Sequence, residues 1–160
     1  MPCYLFTYHA HGSWLPDRKR GYVKRHRGIL PADAVMAEKY RTAMKEPVVA
    51  FDSEIQLAVL DALIDSQAKQ GFEAYYIATD HTHVHVLLGW RDEREWLHMR
   101  SIIKGSLSRR LHQDCGERTW LAEGGSRKRV RDRAHFDYLV MQYLPKHAGW
   151  KWTPERGKFR

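Results

Sequence analysis

The run from Tyr75 to Trp90 constrains this chain more than any other stretch. It reads Tyr75-Tyr76-Ile77-Ala78-Thr79-Asp80, then His81-Thr82-His83-Val84-His85, then Val86-Leu87-Leu88-Gly89-Trp90, with Gly71 ahead of it. Aromatic, β-branched and aliphatic residues dominate, which is the composition of a strand. Alternate side chains of a strand share a face, so His83 and His85 point the same way, about 7 Å apart along the chain. That separation suits two imidazoles converging on one metal ion. The competing reading is a histidine-rich strand on a solvated sheet face. Against it, two or three histidines on one face of an otherwise apolar strand need partners, because burying them alone costs free energy.

The elements around this strand follow from pattern and punctuation. Cys3 to Tyr8 reads as a first strand. A turn-rich basic segment follows, Gly12-Ser13-Trp14-Leu15-Pro16 through Gly21 and on to Gly28, and it opens an inserted region of about 12–50. Asp33 and Pro47 bracket a short helix over Ala34 to Lys45. Asp52-Ser53 caps a clearer helix with a broad apolar face (Ile55, Leu57, Ala58, Val59, Leu60, Leu63, Ile64), and Gly71 closes it. Whether Phe72 to Thr79 and the histidine segment are two hairpin strands or one long strand stays open. Arg94 to His112 has helical spacing. Thr119-Trp120-Leu121 and Arg127-Lys128-Arg129-Val130-Arg131 read as partner strands about a Gly124-Gly125-Ser126 turn. Ala134 to Leu144 reads as a last helix, stopped by Pro145 and Gly149. Helices segregated against one antiparallel sheet give an α+β domain, and the order β-α-β-β-α-β is the ferredoxin-like one with helices on one face.

A chain of 160 residues fits one domain over its whole length, 1–160. Lys plus Arg is 27 against 19 for Asp plus Glu, a net charge of +8. That surplus points to a polyanionic partner. A lipid surface would want a basic amphipathic helix or a lipidation site, and neither is seen. Two unclustered cysteines, Cys3 and Cys115, do not make a disulfide framework. With no signal-peptide pattern and no apolar run of spanning length, the expectation is a cytoplasmic protein associated with the nucleoid and not with membrane.

The last predicted helix contains Tyr138-Leu139-Val140-Met141-Gln142. Residues four apart share an α-helix face, so Tyr138 and Gln142 present together. On their own they fit a solvated helix edge. Beside a His-Val-His strand they take on another meaning: a phenol oxygen is a nucleophile once its proton is lost, and a metal polarises the group it attacks. The Gln142 carbonyl is then a candidate third ligand, and the mixture suits Mn²⁺ better than Mg²⁺.

The two motifs together resemble the single-tyrosine HUH transposases of the insertion-sequence type, and especially their relatives associated with repetitive extragenic palindromes. The resemblance takes in Gly12-Ser13-Trp14-Leu15-Pro16, the Ile103-Lys104-Gly105-Ser106-Leu107-Ser108 helix, Trp120, Gly125-Ser126 and the tyrosine helix. It implies a ferredoxin-like domain of HUH endonuclease type, acting on single-stranded or hairpin DNA with Mg²⁺ or Mn²⁺. The tyrosine attacks a phosphodiester, becomes joined to the 5′-phosphate and releases a 3′-hydroxyl. Carried onto this sequence, His83 and His85 match the ligand pair, Tyr138 the nucleophile and Gln142 the third ligand. His81 makes a second His-x-His register, but Thr82 at its centre lacks the bulky apolar character of Val84. Tyr143 is five residues beyond Tyr138, about 140° around an α-helix and so off its face. The family contains both dimers and monomers. The basic early loop and the tail at about 146–160 favour a monomer here over a homodimer, because they enlarge one chain's DNA surface.

The basic run Arg127, Lys128, Arg129 and Arg131 is expected to meet phosphates, the alternative being a charged strand edge that blocks aggregation. The early loop mixes Trp14 and Tyr22 with Arg18, Lys19, Arg20, Lys24 and Arg25, which suits unpaired bases stacked on rings with backbone on charge. Three other functions compete with the leading one. A hairpin-binding module without cleavage has no need of the histidines, tyrosine and glutamine. A zinc hydrolase built on His81, His83 and His85 has three alternating strand residues that wrap a tetrahedral ion poorly. A replication-type nickase of the same superfamily would share the chemistry.

Overall fold

A computed structural model of the chain describes residues 1–13, 15, 19–24 and 26–160; the expected DNA contacts Trp14, Arg18 and Arg25 lie outside the described residues. The elements run β1 (Cys3–His9), β2 (Tyr22–Lys24), β3 (Gly28–Leu30), α1 (Ala34–Ala43), α2 (Ser53–Gln70), β4 (Glu73–Thr79), β5 (His83–Gly89), α3 (Trp96–Cys115), β6 (Ser126–Arg129), α4 (Arg133–Tyr138), a π-helical turn (Leu139–Tyr143), a 3₁₀ turn (Leu144–Lys146), β7 (Lys151–Thr153) and β8 (Gly157–Phe159). The question left open by the sequence resolves as a hairpin, with β4 and β5 antiparallel across the turn at Asp80–Thr82.

Six strands form one antiparallel sheet in the order β6-β1-β5-β4-β7-β8. Leaving out β7 and β8, this is the ferredoxin-like order, with α2 and α3 as the two crossovers. The fold is α+β, as the pattern of elements implies. Capping sets the ends of α2. The Asp52 carboxylate accepts from the Ile55 amide at 2.9 Å, and Gly71 takes the left-handed conformation, φ 67°, that closes a helix without a Cβ penalty.

Strand alternation divides the side chains between two faces. On one, Tyr4, Phe6, Tyr8, Val84, Val86 and Leu88 pack with Leu60 and Leu63 of α2 and Ile103 and Leu107 of α3 in the main core. On the other, Leu5, Tyr76, Ala78 and Leu87 meet Leu139 and Leu144 in a smaller core. The two long helices thus share one face, and the tyrosine-bearing segment crosses the opposite one.

Two local expectations need correcting. Thr119 to Leu121 is not the partner of β6: Leu121 makes a single bridge to Ala10, and β6 pairs with β1. The helix after the histidine strand starts at Trp96, because the Arg94 guanidinium and amide are held by Asp92 in the loop before it. The tail after Gly149 docks on the domain: Lys151–Thr153 forms β7 against β4, and Trp150 and Trp152 pack against the main core. Among the described residues, no helix is long and apolar enough to cross a membrane.

Candidate active site

Antiparallel register puts Thr7 opposite His85 and His9 opposite His83. His83, His85 and His147 each offer a ring nitrogen, and these three atoms lie within 4.8 Å of one another. The Nδ1 side of every ring meets a protein oxygen. The Thr7 hydroxyl is 2.7 Å from Nδ1 of His85, the Thr82 hydroxyl is 2.9 Å from Nδ1 of His83, and the Leu144 carbonyl is 3.1 Å from Nδ1 of His147. Holding the same nitrogen in all three rings is the arrangement that orients a histidine to ligate through Nε2. His85 is buried, and burial above all, with the nearby imidazoles of His83, His147 and His9 adding to it, pushes its pKa down to about 2. It therefore stays a neutral donor across the physiological range. The donor set fits a divalent ion; three nitrogens with no carboxylate suit a borderline ion such as Zn²⁺ best, and Mn²⁺ better than the more strictly oxygen-seeking Mg²⁺.

His147 comes from the segment that the sequence reads as a continuous α-helix. That segment is α-helical only to Tyr138. Over Leu139–Tyr143 it widens to a π-helical turn, closed by the Leu144 amide donating to the Leu139 carbonyl five residues back. In such a turn the hydrogen bond closes over five residues instead of four, which swings a residue five along back toward the same side. The separation of 140° expected between Tyr138 and Tyr143 therefore shrinks, and their rings stack with centroids 6.5 Å apart. Tyr143 reaches the histidines: its hydroxyl is 3.4 Å from Nε2 of His85, and its ring is 5.3 Å from that of His147. Burial raises its phenol pKa, the neighbouring Tyr138 adds to this, and Arg20 works against both. Tyr138 stands farther out, 46% exposed. Gln142 is exposed and lines neither of the cavities that His85 lines.

A cavity of about 540 Å³ opens over the three imidazoles, with Lys19 and Arg20 from the early loop, Ser126 and Tyr143 among its walls. A smaller cleft of about 180 Å³ continues from it between Lys128 and Tyr138. The basic run is split by strand alternation. Lys128 faces this cleft, whereas Arg127 turns to the other face and lies over the Trp96 ring at 3.8 Å. Arg129 is exposed, Arg131 lines a third, outlying groove, and Lys24 is exposed on the separate β2–β3 hairpin.

The turn carrying His147 is fixed from below. Lys151 is buried at 7% exposure, and its ammonium donates to the carbonyls of His147 at 2.8 Å and Gly149 at 3.0 Å. A Cβ on Gly149 would run into the Thr79 carbonyl and the Gln56 amide oxygen, so only glycine fits. Thr7, His9, His147 and Lys151 were not singled out by sequence reasoning. Tyr143-Leu144-Pro145-Lys146-His147 does repeat the four-residue spacing of Tyr138 and Gln142, and that was the available signal for His147.

No protein-family model matches the sequence, and no curated protein is similar to it. Among solved structures, a REP-associated tyrosine transposase bound to a REP hairpin is similar at 9% identity and a TM-score of 0.47, over 90% of this chain and 70% of that one. A candidate transposase from Deinococcus radiodurans is similar at 16% identity and a TM-score of 0.45, over 92% of each chain.

Proposed function

We propose that this chain is a metal-dependent endonuclease and strand transferase for single-stranded, hairpin-bearing DNA, working as the single-tyrosine HUH transposases do. Tyr143 is the nucleophile, and His83, His85 and His147 hold the metal. The observation that carries this reading is the contact of the Tyr143 hydroxyl with Nε2 of His85 at the edge of a three-imidazole cluster. The motif resemblance supplies the substrate class, and the net charge of +8 agrees with a polyanion. The roles first assigned to Tyr138 and Gln142 move one helical step along, to Tyr143 and His147, because of the π-helical turn. Tyr138 becomes a wall of the adjoining cleft.

A divalent ion held by His83, His85 and His147 would supply charge withdrawal at the scissile phosphate. The chain's residues do the rest. Lys19 and Arg20 draw the phosphate over the imidazoles. The Tyr143 oxygen attacks phosphorus, the bond to the 3′-oxygen breaks, and a 5′-phosphotyrosine forms. The phenol proton is balanced by the proton gained by the released 3′-hydroxyl. Arg20 opposes the effects that keep the phenol protonated. Attack of that hydroxyl on the phosphotyrosine reverses the step and gives strand transfer.

The test is to incubate the protein with an end-labelled hairpin-bearing single strand and Mn²⁺, then run a denaturing gel. A covalent adduct that chelator prevents is the expected result. Binding without any adduct would leave a hairpin-binding module, and cleavage undiminished by chelator would remove the metal.

A further inference from the structure

Beyond the histidine site, one groove on the same face of the sheet carries features that neither the metal nor the nucleophile explains. It holds about 350 Å³ between Cys3, Tyr75, Val130 and Phe136, with Arg131, Asp132 and Arg133 at its rim; the Asp132 carboxylate accepts from the His135 amide at 2.8 Å, and Arg133 pairs with Asp137 at 2.9 Å while remaining exposed. The four lining side chains are only half-buried, in a region where the opposite face of the sheet is sealed. The Phe136 ring meets the edge of Tyr75 with centroids 5.6 Å apart, making an aromatic corner, and the Arg133 guanidinium lies 5.7 Å from the Phe136 centroid.

Two structural devices shape the site side around that corner. The first is a break in register of β4 against β5 between Ala74 and Tyr76. Ala74 and Ile77 point into the main core, while Tyr75, Tyr76 and Ala78 all pack on the other side. Alternation from Ala74 puts Tyr75 on the site side, and the bulge keeps Tyr76 there beside it instead of returning it to the helix-covered face. The second is the path of β6. Ser126 lines the histidine cavity, Lys128 the adjoining cleft, and Val130 this groove. The Val130 amide continues the ladder by donating to the Cys3 carbonyl at 2.9 Å. Every second residue of one strand thus marks a path that starts at the histidines and ends at the aromatic corner. From Ser126 to Val130 the path is about 13 Å long, at most about four stacked nucleotides.

We infer that this groove seats an unpaired nucleobase, with its phosphate on Arg131 and Arg133, on the strand that leaves the histidine site along β6. Rings beside guanidinium groups recognise a single strand in this way: bases stack without regard to sequence while charge follows the backbone. A carboxylate ligand would leave the aromatic corner unused, and an apolar peptide would strand the two arginines. The inference rests on the reading of the chain as a single-strand DNA enzyme, and its test separates the two.

Wild-type protein in chelator is titrated with intact oligonucleotides that carry 2-aminopurine or an abasic site at successive positions within about four nucleotides of the cut. One position is expected to show quenching on binding, and an abasic site there to weaken binding roughly 5- to 150-fold. Phe136→Leu keeps the packing volume and should remove both effects. Arg131→Ala and Arg133→Ala should each flatten the salt dependence by about 0.7 on the log–log slope. Strong binding with no position-dependent quenching, and with Phe136→Leu and both arginine variants equal to wild type, overturns the base seat and leaves the enzyme reading intact. No binding of single strands by wild type overturns both. A concentration-dependent dimer abolished by Phe136→Leu, with DNA affinity unchanged, would assign the groove to a second copy of the chain and overturn the inference too.

Discussion

Val84, Val86 and Leu88 alternate along β5 with His83, His85 and Leu87. The first three are fully buried beneath α2 and α3 in a core that also takes Phe6, Leu60 and Leu63. The second set lies under a π-helical turn and a 3₁₀ turn, and beside His83 and His85 it opens into a cavity of about 540 Å³. The two faces differ in what covers them more than in their strands. Long regular helices with aliphatic faces exclude water and give stability. A short irregular segment brings polar side chains over the sheet and leaves room for a ligand. Local departures from regular geometry cluster on that second face, at the π-helical turn and at the β4 bulge, where departures of this kind commonly serve function.

Substitutions on the two faces should therefore move different observables. The largest effect expected is on the open face. His147→Ala should reduce adduct formation by more than the roughly 100-fold that loss of an outer-shell partner costs, while changing unfolding free energy little. Gln142→Ala should leave cleavage near wild type, and equal losses from the two would return the third ligand to Gln142. On the sealed face, Leu63→Ala should cost about 2–5 kcal/mol in denaturant melts and leave the cleavage rate of the folded fraction intact.

A pH series sharpens the contrast. His85 binds its proton only near pH 2 when folded, but near its ordinary value of 6.5 when unfolded. Below about pH 6.5 the unfolded state takes up a proton that the folded state refuses, so stability falls with pH, at up to about 1.4 kcal/mol per unit from this group. Metal-free His85→Gln should lose that part of the slope. An identical slope in both proteins would show that His85 titrates normally in the fold.

The smallest effect concerns the basic strand. Lys128→Ala should lower the salt slope of single-strand binding by about 0.7, and Arg127→Ala should not, since its guanidinium packs on Trp96. The reverse outcome would mean that DNA crosses the helix-covered face.

Much of this division was legible in the sequence. Alternation placed His83 and His85 on one side, and the order of elements gave an α+β, ferredoxin-like sheet. The caps at Asp52 and Gly71 fixed the ends of α2. What was illegible depended on departures from regular geometry or on long-range register. Helical-wheel arithmetic assumes 100° per residue, so it put Tyr143 on the wrong side of a segment that is not α-helical there. His147 lies beyond Pro145, which reads as a helix stop, yet the 3₁₀ turn carries the chain back to the site. Thr7 and His9 join through pairing across 74 or more residues, which no local pattern encodes: His9 with His83 and Thr7 with His85. Lys151 read as one more cation of a basic tail, and only the sheet register shows it buried under the His147 carbonyl.

The central claim is that the π-helical turn delivers Tyr143, not Tyr138, to the imidazole cluster. Proteolysis of the covalent complex and mass mapping of the nucleotide-bearing peptide test it most directly, alongside Tyr143→Phe and Tyr138→Phe. The account predicts the nucleotide on Tyr143, no adduct from Tyr143→Phe, and an adduct retained by Tyr138→Phe. A nucleotide found on Tyr138, with Tyr143→Phe still active, would contradict it.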